Sequence, residues 1–344
     1  MKRVTPKGLT TAFGALAIAA TALTATVANA ADYMTPGEGV TVQPTGPGFL
    51  RTQLEEEVVI RGLKELGYDV KEPLHLKYAL MFLTVASGDA DYAAGYAHPL
   101  HQAFFDKAGG DQSLKITETA LYGPMPSAYY VDKASYDAGI RSIEDLKKPE
   151  NAARFDTDGD GKADLVGCQP GWGCERAIEH HMDAYELRDH VTHVQGEYAV
   201  LIADVVGRVG QNDPVLYYAW RPYWVNNILK QGVEVERLEV PFTSVGDDPS
   251  ITAEQTTIDG KNLGHLPFNR HLVSNKDFLE NNPAAATFIE LAQIPIEDIE
   301  AQRLLIYQGE KQPEDIERHI TTWISDNREA YDSWLKAARD AATN

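Results

Sequence analysis

Cysteine is scarce in this chain of 344 residues: Cys168 and Cys174 are the only two. No cysteine stands near residue 30, so a lipid anchor on a new N-terminal cysteine is excluded. Beyond residue 27 there is no apolar run of about 18 residues that would span a bilayer. Positive charge is also short, with 31 Lys and Arg against 51 Asp and Glu and a net charge of -20. That balance argues against nucleic acid or anionic lipid as a partner. The sequence has no Gly-x-Ser-x-Gly elbow, no Walker A loop and no Gly-x-Gly-x-x-Gly fingerprint. His180 and His181 are adjacent and face apart on a helix, and His190-Val191-Thr192-His193 lacks the carboxylate of a His-Glu-x-x-His zinc motif. Hydrolytic, nucleotide-driven and zinc chemistry therefore have no sequence support. Repeats and low-complexity linkers are absent too.

What is present begins with a secretion signal. Lys2, Arg3 and Lys7 form a charged start, residues 9–27 are apolar and uncharged, and Ala28-Asn29-Ala30 is a small-residue cleavage site. The mature chain is expected to begin at Ala31 and to fold in an oxidising compartment, where Cys168 and Cys174 can pair. Closing so short a loop removes on the order of 2 kcal/mol of unfolded-state entropy, so its main effect is local rigidity. The signal carries three basic residues and no acidic one, which leaves the mature chain still more acidic. Its length suits two domains or one large split domain.

Strands alternate with helices along the chain, which predicts an α/β fold with a largely parallel sheet. Val40-Thr41-Val42 and Tyr68-Asp69-Val70 read as short strands. Between them Leu54, Val58, Val59, Leu63 and Leu66 mark an amphipathic helix that stops at Gly67. Tyr92 to Tyr96 is a strand running into a loop, and Pro214 to Trp220 a buried strand. Helices are predicted at Ser142, with Asp145 as its capping partner, at 175–187, at 197–209 and at Pro283 behind Asn282. From Pro313 the pattern is helical to the end, with Trp323 and Trp334 in the core.

Four stretches could carry chemistry. Gly167-Cys168-Gln169-Pro170-Gly171-Trp172-Gly173-Cys174-Glu175 precedes a helix. It reads either as a structural disulfide turn or as a binding loop with an aromatic face for a cation and bare amides for an anion. Tyr217-Tyr218-Ala219-Trp220-Arg221-Pro222-Tyr223-Trp224 places rings where a strand leaves its sheet, the ligand edge of open α/β folds, or else packs a strand end. Tyr96-Ala97-His98-Pro99-Leu100-His101 sets two histidines in a strand-exit loop. Asp156, Asp158, Asp160 and Asp164, with Gly161 at the turn, match the start of an EF-hand loop. Gly167 stands where the closing glutamate belongs, so the alternatives are a structural calcium site completed from elsewhere and a plain Asp/Gly turn.

Cys168-Gln169-Pro170-Gly171-Trp172-Gly173-Cys174-Glu175, 217–225, Pro99-Leu100-His101, 155–165 and Asn282-Pro283-Ala284-Ala285-Ala286 together resemble the periplasmic glycine betaine/proline betaine-binding proteins of osmoprotectant ABC transporters. The resemblance runs over the mature chain. It implies a two-lobed type II periplasmic-binding-protein fold, each lobe a mixed, mostly parallel sheet flanked by helices. Lobe 1 would comprise 31–129 and 268–344, lobe 2 130–267, with crossings near Tyr129-Tyr130 and Pro267-Phe268. It implies a monomeric carrier, not an enzyme, that needs no cofactor and delivers its ligand to a membrane permease and its ATPase subunit. In the family three tryptophans box the quaternary ammonium while a histidine and two amides hold the carboxylate. Trp172 and Trp220 match two walls, His101 the histidine, Gly173 and Cys174 the amides. The third tryptophan is replaced by Ala97 next to His98, which leaves Tyr96 or Tyr223 to fill the gap, or a bulkier head group to occupy it. The ligands implied are glycine betaine, proline betaine or dimethylsulfoniopropionate. Choline or trimethylamine N-oxide is the alternative, and a secreted calcium-dependent enzyme or adhesin using the aspartate loop is the alternative of another class.

Overall fold

Residues 33–48, 53–246 and 248–343 are described in this computed structural model. The secretion segment and its cleavage site at Ala30 lie outside the described residues. The predicted amphipathic helix forms over Leu54–Glu65, with Leu54, Val58, Val59 and Leu63 buried. Each such side chain contributes about 1.5–3 kcal/mol on leaving water. The short strands Thr41–Val42 and Asp69–Val70 pair in parallel on either side of it.

Two sheets organise the chain. The first runs in the order Leu74–His75, Pro44–Gly46, Tyr92–His98, Phe268–Asn275, Leu114–Ile116, with Tyr122–Met125 also paired to Phe268–Asn275. The second runs Val191–Val194, Ala163–Val166, Leu216–Trp220, Ser127–Asp132, Val235–Arg237. Both are mixed. Parallel pairs make up one side of each sheet. Ser127–Asp132 and Phe268–Asn275 are antiparallel to all their neighbours. These are the two strands the chain enters on arriving from the other sheet. They start at the edge where their neighbours end and so run the opposite way, which makes the parallel share smaller than the strand–helix alternation predicts. The first passage falls at Pro126, between Met125 and Ser127, so Tyr129 and Tyr130 lie inside the second sheet. The return ends at Phe268.

Helices cover the sheets, and three depart from the sequence reading. Ser142 and Asp145 form the expected capping box, but over a 3-10 turn, Ile143–Lys147. Asn282 does not cap Pro283–Leu291; its side-chain amide donates to the Phe278 carbonyl 2.8 Å away. The C-terminal helix breaks at Asn327 into Pro313–Asp326 and Arg328–Ala341. The break folds the second segment back, so Trp323 and Trp334 are both buried, with ring centroids 6.4 Å apart.

Candidate functional site

The Cys168–Cys174 disulfide forms, with Cα atoms 6.0 Å apart. Gly171 takes φ +91°, a left-handed conformation that glycine adopts without strain. Trp172 is extended at the N-cap position, and the helix Gly173–Ala184 starts behind it. The first amides of a helix have no intrahelical acceptor and lie at the positive end of its dipole. The amides of Gly173 and Cys174 are thus held beside the Trp172 indole. Gly173 must be glycine for a second reason: a Cβ there would stand 2.8 Å from both His101 Cδ2 and Leu100 Cγ. Residues attached to the two sheets meet at this point.

The second sheet supplies the next wall. Leu216–Trp220 ends at Trp220, whose ring centroid lies 5.9 Å from that of Trp172 at an interplanar angle of 71°. The two indoles meet nearly at right angles and make a corner. Tyr198 backs it, 4.7 Å from the Trp220 ring and 6.0 Å from the Trp172 ring. Its buried hydroxyl donates to the Tyr218 carbonyl at 2.7 Å.

The first sheet closes the opposite side. Side chains alternate along Tyr92–His98, so Ala97 lines the cleft and Tyr96 points away. The Tyr96 ring packs against Phe82 and Phe105, and its hydroxyl bonds Gln102 at 2.8 Å and His98 Nδ1 at 2.9 Å. His101 follows the turn. Its Nδ1 accepts the Ala97 amide at 3.1 Å, leaving Nε2 as the donor, and its ring lies 3.9 Å from the Tyr78 ring. Burial first, then the nearby Arg270 and Arg176, push the His101 pKa well below the ordinary value, so the imidazole is neutral at pH 7.

Ala97, His101, Trp172, Gly173, Cys174 and Trp220 therefore line one cleft. Of the sequence-predicted residues, Tyr96, His98 and Tyr223 do not. Tyr96 and His98 are turned away by the strand alternation, and Tyr223 sits behind Trp220 on an adjoining groove. Tyr78, Leu100, Tyr218, Phe268 and Arg270 complete the lining; Leu100 and Tyr218 lie inside stretches the sequence marks and Phe268 at its second crossing, but the sequence assigns none of the five a ligand role. Tyr218 was within reach of the sequence, two residues before Trp220 on the same strand face. Phe268 and Arg270 come from a distant segment that the sheet order brings in, and Tyr78 opens the helix Tyr78–Ser87, which packs on that sheet.

The aspartate loop closes on itself. Asp156 accepts from the Gly159 amide at 2.7 Å and the Gly161 amide at 2.9 Å; Asp164 accepts from the Thr157 amide at 2.8 Å and from the Thr157 hydroxyl. Carboxylate oxygens of Asp156, Asp158 and Asp164 lie within 4.8 Å of one another. Asp160 stands outside that group and accepts the Lys162 amide at 2.8 Å. Elsewhere His193 Nδ1 is 2.7 Å from Glu179, and His180 Nε2 is 2.7 Å from the Ser244 hydroxyl.

Comparison with known proteins identifies the family. Residues 40–326 match the family described as the substrate binding domain of ABC-type glycine betaine transport system, OpuAC. The glycine betaine/proline betaine-binding periplasmic protein of Escherichia coli K12 is 40% identical over 304 residues, covering 88% of this chain and 91% of that protein. The glycine betaine-binding periplasmic protein OusX of Dickeya dadantii is 40% identical over 326 residues, covering 94% and 97%. Among solved structures, lactococcal OpuAC in its closed form with glycine betaine has a TM-score of 0.64 at 23% identity, over 86% of this chain and all of that one. A choline-binding ABC-transporter protein has a TM-score of 0.67 at 17% identity, over 88% and 96%. These two establish the fold, that of the type II periplasmic binding proteins. Among the described residues no helix is long and apolar enough to cross a membrane.

Proposed function

The chain belongs to the substrate-binding domains of ABC-type glycine betaine transport systems, and from that premise we propose that it captures a betaine-type onium zwitterion in the cleft between Trp172 and His101. It is a substrate-binding protein of an ABC importer, not an enzyme. The observation that carries the ligand reading is the corner of two indoles, 5.9 Å apart and 71° to each other, beside the first-turn amides of Gly173 and Cys174. A quaternary ammonium cannot donate hydrogen bonds, so aromatic faces are its best partners once water is removed. A carboxylate joined to it by a short linker is matched by two amides at a helix start and the Nε2–H of a neutral His101.

In this reading one lobe is built on the first sheet and the other on the second, with crossings at Pro126 and just before Phe268. Ligand contacts from both lobes favour a closed form. The family serves ABC transporters, so that closed form is the one offered to a permease and its ATPase subunit. The protein would work as a monomer in the periplasm after cleavage at Ala30. Capture needs no cofactor; a calcium ion at the Asp156–Asp164 loop would brace that loop only.

Calorimetry tests the reading. Glycine betaine should bind at micromolar or tighter Kd. A cation–π contact contributes roughly 0.5–2 kcal/mol. Trp172→Ala and Trp220→Ala should therefore each weaken binding by about 2- to 30-fold, and by more where the ring also excludes water. An absence of heat with every onium zwitterion tried would sink the proposal.

A further inference from the structure

Ala97 and Arg270 stand directly opposite each other in the antiparallel pair of Tyr92–His98 and Phe268–Asn275. Opposed residues project to the same face, so a methyl group and a guanidinium share the cleft-facing side of the first sheet, and both line the cleft. Arg270 is only 3% exposed. It is fixed from behind, with Nη1 donating to the Gly95 carbonyl at 2.7 Å and Nε to the Tyr122 hydroxyl at 3.2 Å. Tyr122 in turn donates to Glu55 at 3.0 Å and accepts from Arg303 at 3.2 Å, and Arg303 is ion-paired with Glu55. On the cleft side the Tyr78 phenol lies within the field of Arg270, which works against the upward push of burial on its pKa. A bulky ring at position 97 would compete with the guanidinium for this space.

We propose that Arg270, anchored by Tyr122 and flanked by Tyr78, is the cationic wall of the cleft and makes it select onium ligands that carry a carboxylate over those that do not. The proposal rests on the ligand reading above and adds the residue that sets its preference. The cleft then has two unlike halves: indole faces of Trp172 and Trp220 for the ammonium, and a buried guanidinium for the opposite charge. Where water is displaced, a cation without a carboxylate meets Arg270 as a like charge, whereas a zwitterion orders itself between the halves. The neutral His101 and the amides of Gly173 and Cys174 add hydrogen bonds to the carboxylate; the full positive charge that lines the cleft itself is Arg270, with Arg176 farther out near His101.

The test is calorimetry with glycine betaine and choline on wild type, Arg270→Gln and Arg270→Lys. Wild type should prefer glycine betaine by about 100-fold or more. Arg270→Gln should weaken glycine betaine by about 10- to 100-fold, as a desolvated charge facing the carboxylate is removed, and leave choline as tight or tighter. Arg270→Lys should recover part of the preference. A folded Arg270→Gln that binds glycine betaine within about threefold of wild type, with its preference intact, overturns the proposal while leaving the ligand reading standing. No heat from any onium with wild type overturns both. If Arg270→Gln does not fold, wild type decides: glycine betaine amide, with the same ammonium but no negative charge, should bind at least about 100-fold more weakly than glycine betaine. A loss under about tenfold would show that neutral donors suffice and would remove Arg270 from this role.

Discussion

At Gly173 one hydrogen in place of a methyl decides how closely the two sides of the cleft approach. The position is helical, so alanine there costs the local helix nothing and restricts the unfolded chain. In the present conformation, however, which the proposed function takes as the closed one, its Cβ would press on His101 and Leu100 at 2.8 Å. Overpacking of this kind costs about 1–3 kcal/mol. Gly173→Ala should therefore keep its ligand-free Tm within about 2 °C of wild type, yet bind glycine betaine about 10- to 100-fold more weakly in calorimetry. Unchanged affinity would mean that capture does not draw these surfaces together. At this scale the sequence is readable where a residue type is chemically committed: Trp172, Trp220 and His101 converge as their motifs imply. It misleads where adjacency stands in for direction. Tyr96 is next to Ala97, but the two-residue period of a strand sends it to the opposite face. Arg270 has no local signal, because it reaches the cleft through strand pairing with Ala97 across more than a hundred residues, and Tyr78 reaches it from the start of the helix Tyr78–Ser87.

The element that defines the cleft is the helix Gly173–Ala184 with the disulfide loop in front of it. The bond spans Cys168, at the end of the segment leaving the strand Ala163–Val166, and Cys174, inside the first helical turn. It couples the direction of the sheet to that of the helix start. Cys168→Ser with Cys174→Ser should lower stability by about 2 kcal/mol, the entropy of so short a loop, read as a Tm loss of several degrees. Affinity should suffer as well, because Trp172 and the two amides lose their common frame; a tenfold or greater rise in Kd at a temperature where the variant is folded is the expected result. A normal Kd would make the bond purely a stabiliser. Helices with clear apolar periodicity are legible in the sequence, as Leu54–Glu65 and Tyr198–Gly210 illustrate. The turn at Asn327 is not, since the apolar stripe continues through it. Nor are the antiparallel crossing strands, since their direction follows from the path between sheets.

Over the whole molecule, acid sensitivity is set by histidines buried without charge on both sides of the cleft. Burial leads the causes that hold His101 and His265 well below the ordinary histidine pKa, His271 below it, and His181 down to about 4. His181 is held between the Tyr129 hydroxyl at 2.9 Å and the Ser244 carbonyl at 2.8 Å, in contact with the His265 ring. In the unfolded chain these imidazoles titrate near 6.5, so below that pH the unfolded state binds more protons than the folded one. Their contribution to stability is whole above about pH 6.5 and is lost as pH falls, at about 1.4 kcal/mol per pH unit for each histidine until its folded pKa is reached. Glu57 and Asp91, whose pKa values burial raises, act in the opposite sense but from ordinary values of 4.5 and 3.8, so the range from pH 6.5 to 5 belongs mainly to the histidines. The ligand-free Tm, followed by circular dichroism, should stay level from pH 8 to 7 and fall with increasing slope from pH 6 to 5. His181→Gln should start lower and flatten that slope, because its amide can bond Tyr129 without a proton to gain. A slope unchanged by the substitution would show that His181 titrates alike in both states and that acid acts through other groups. Ligand binds only the folded form and offsets the loss by RT ln(1 + [L]/Kd), about 2.7 kcal/mol at a hundredfold excess over Kd. The acid transition should then move to lower pH with glycine betaine present, and by less for Gly173→Ala, which would tie the stability of the molecule to the close approach at that residue.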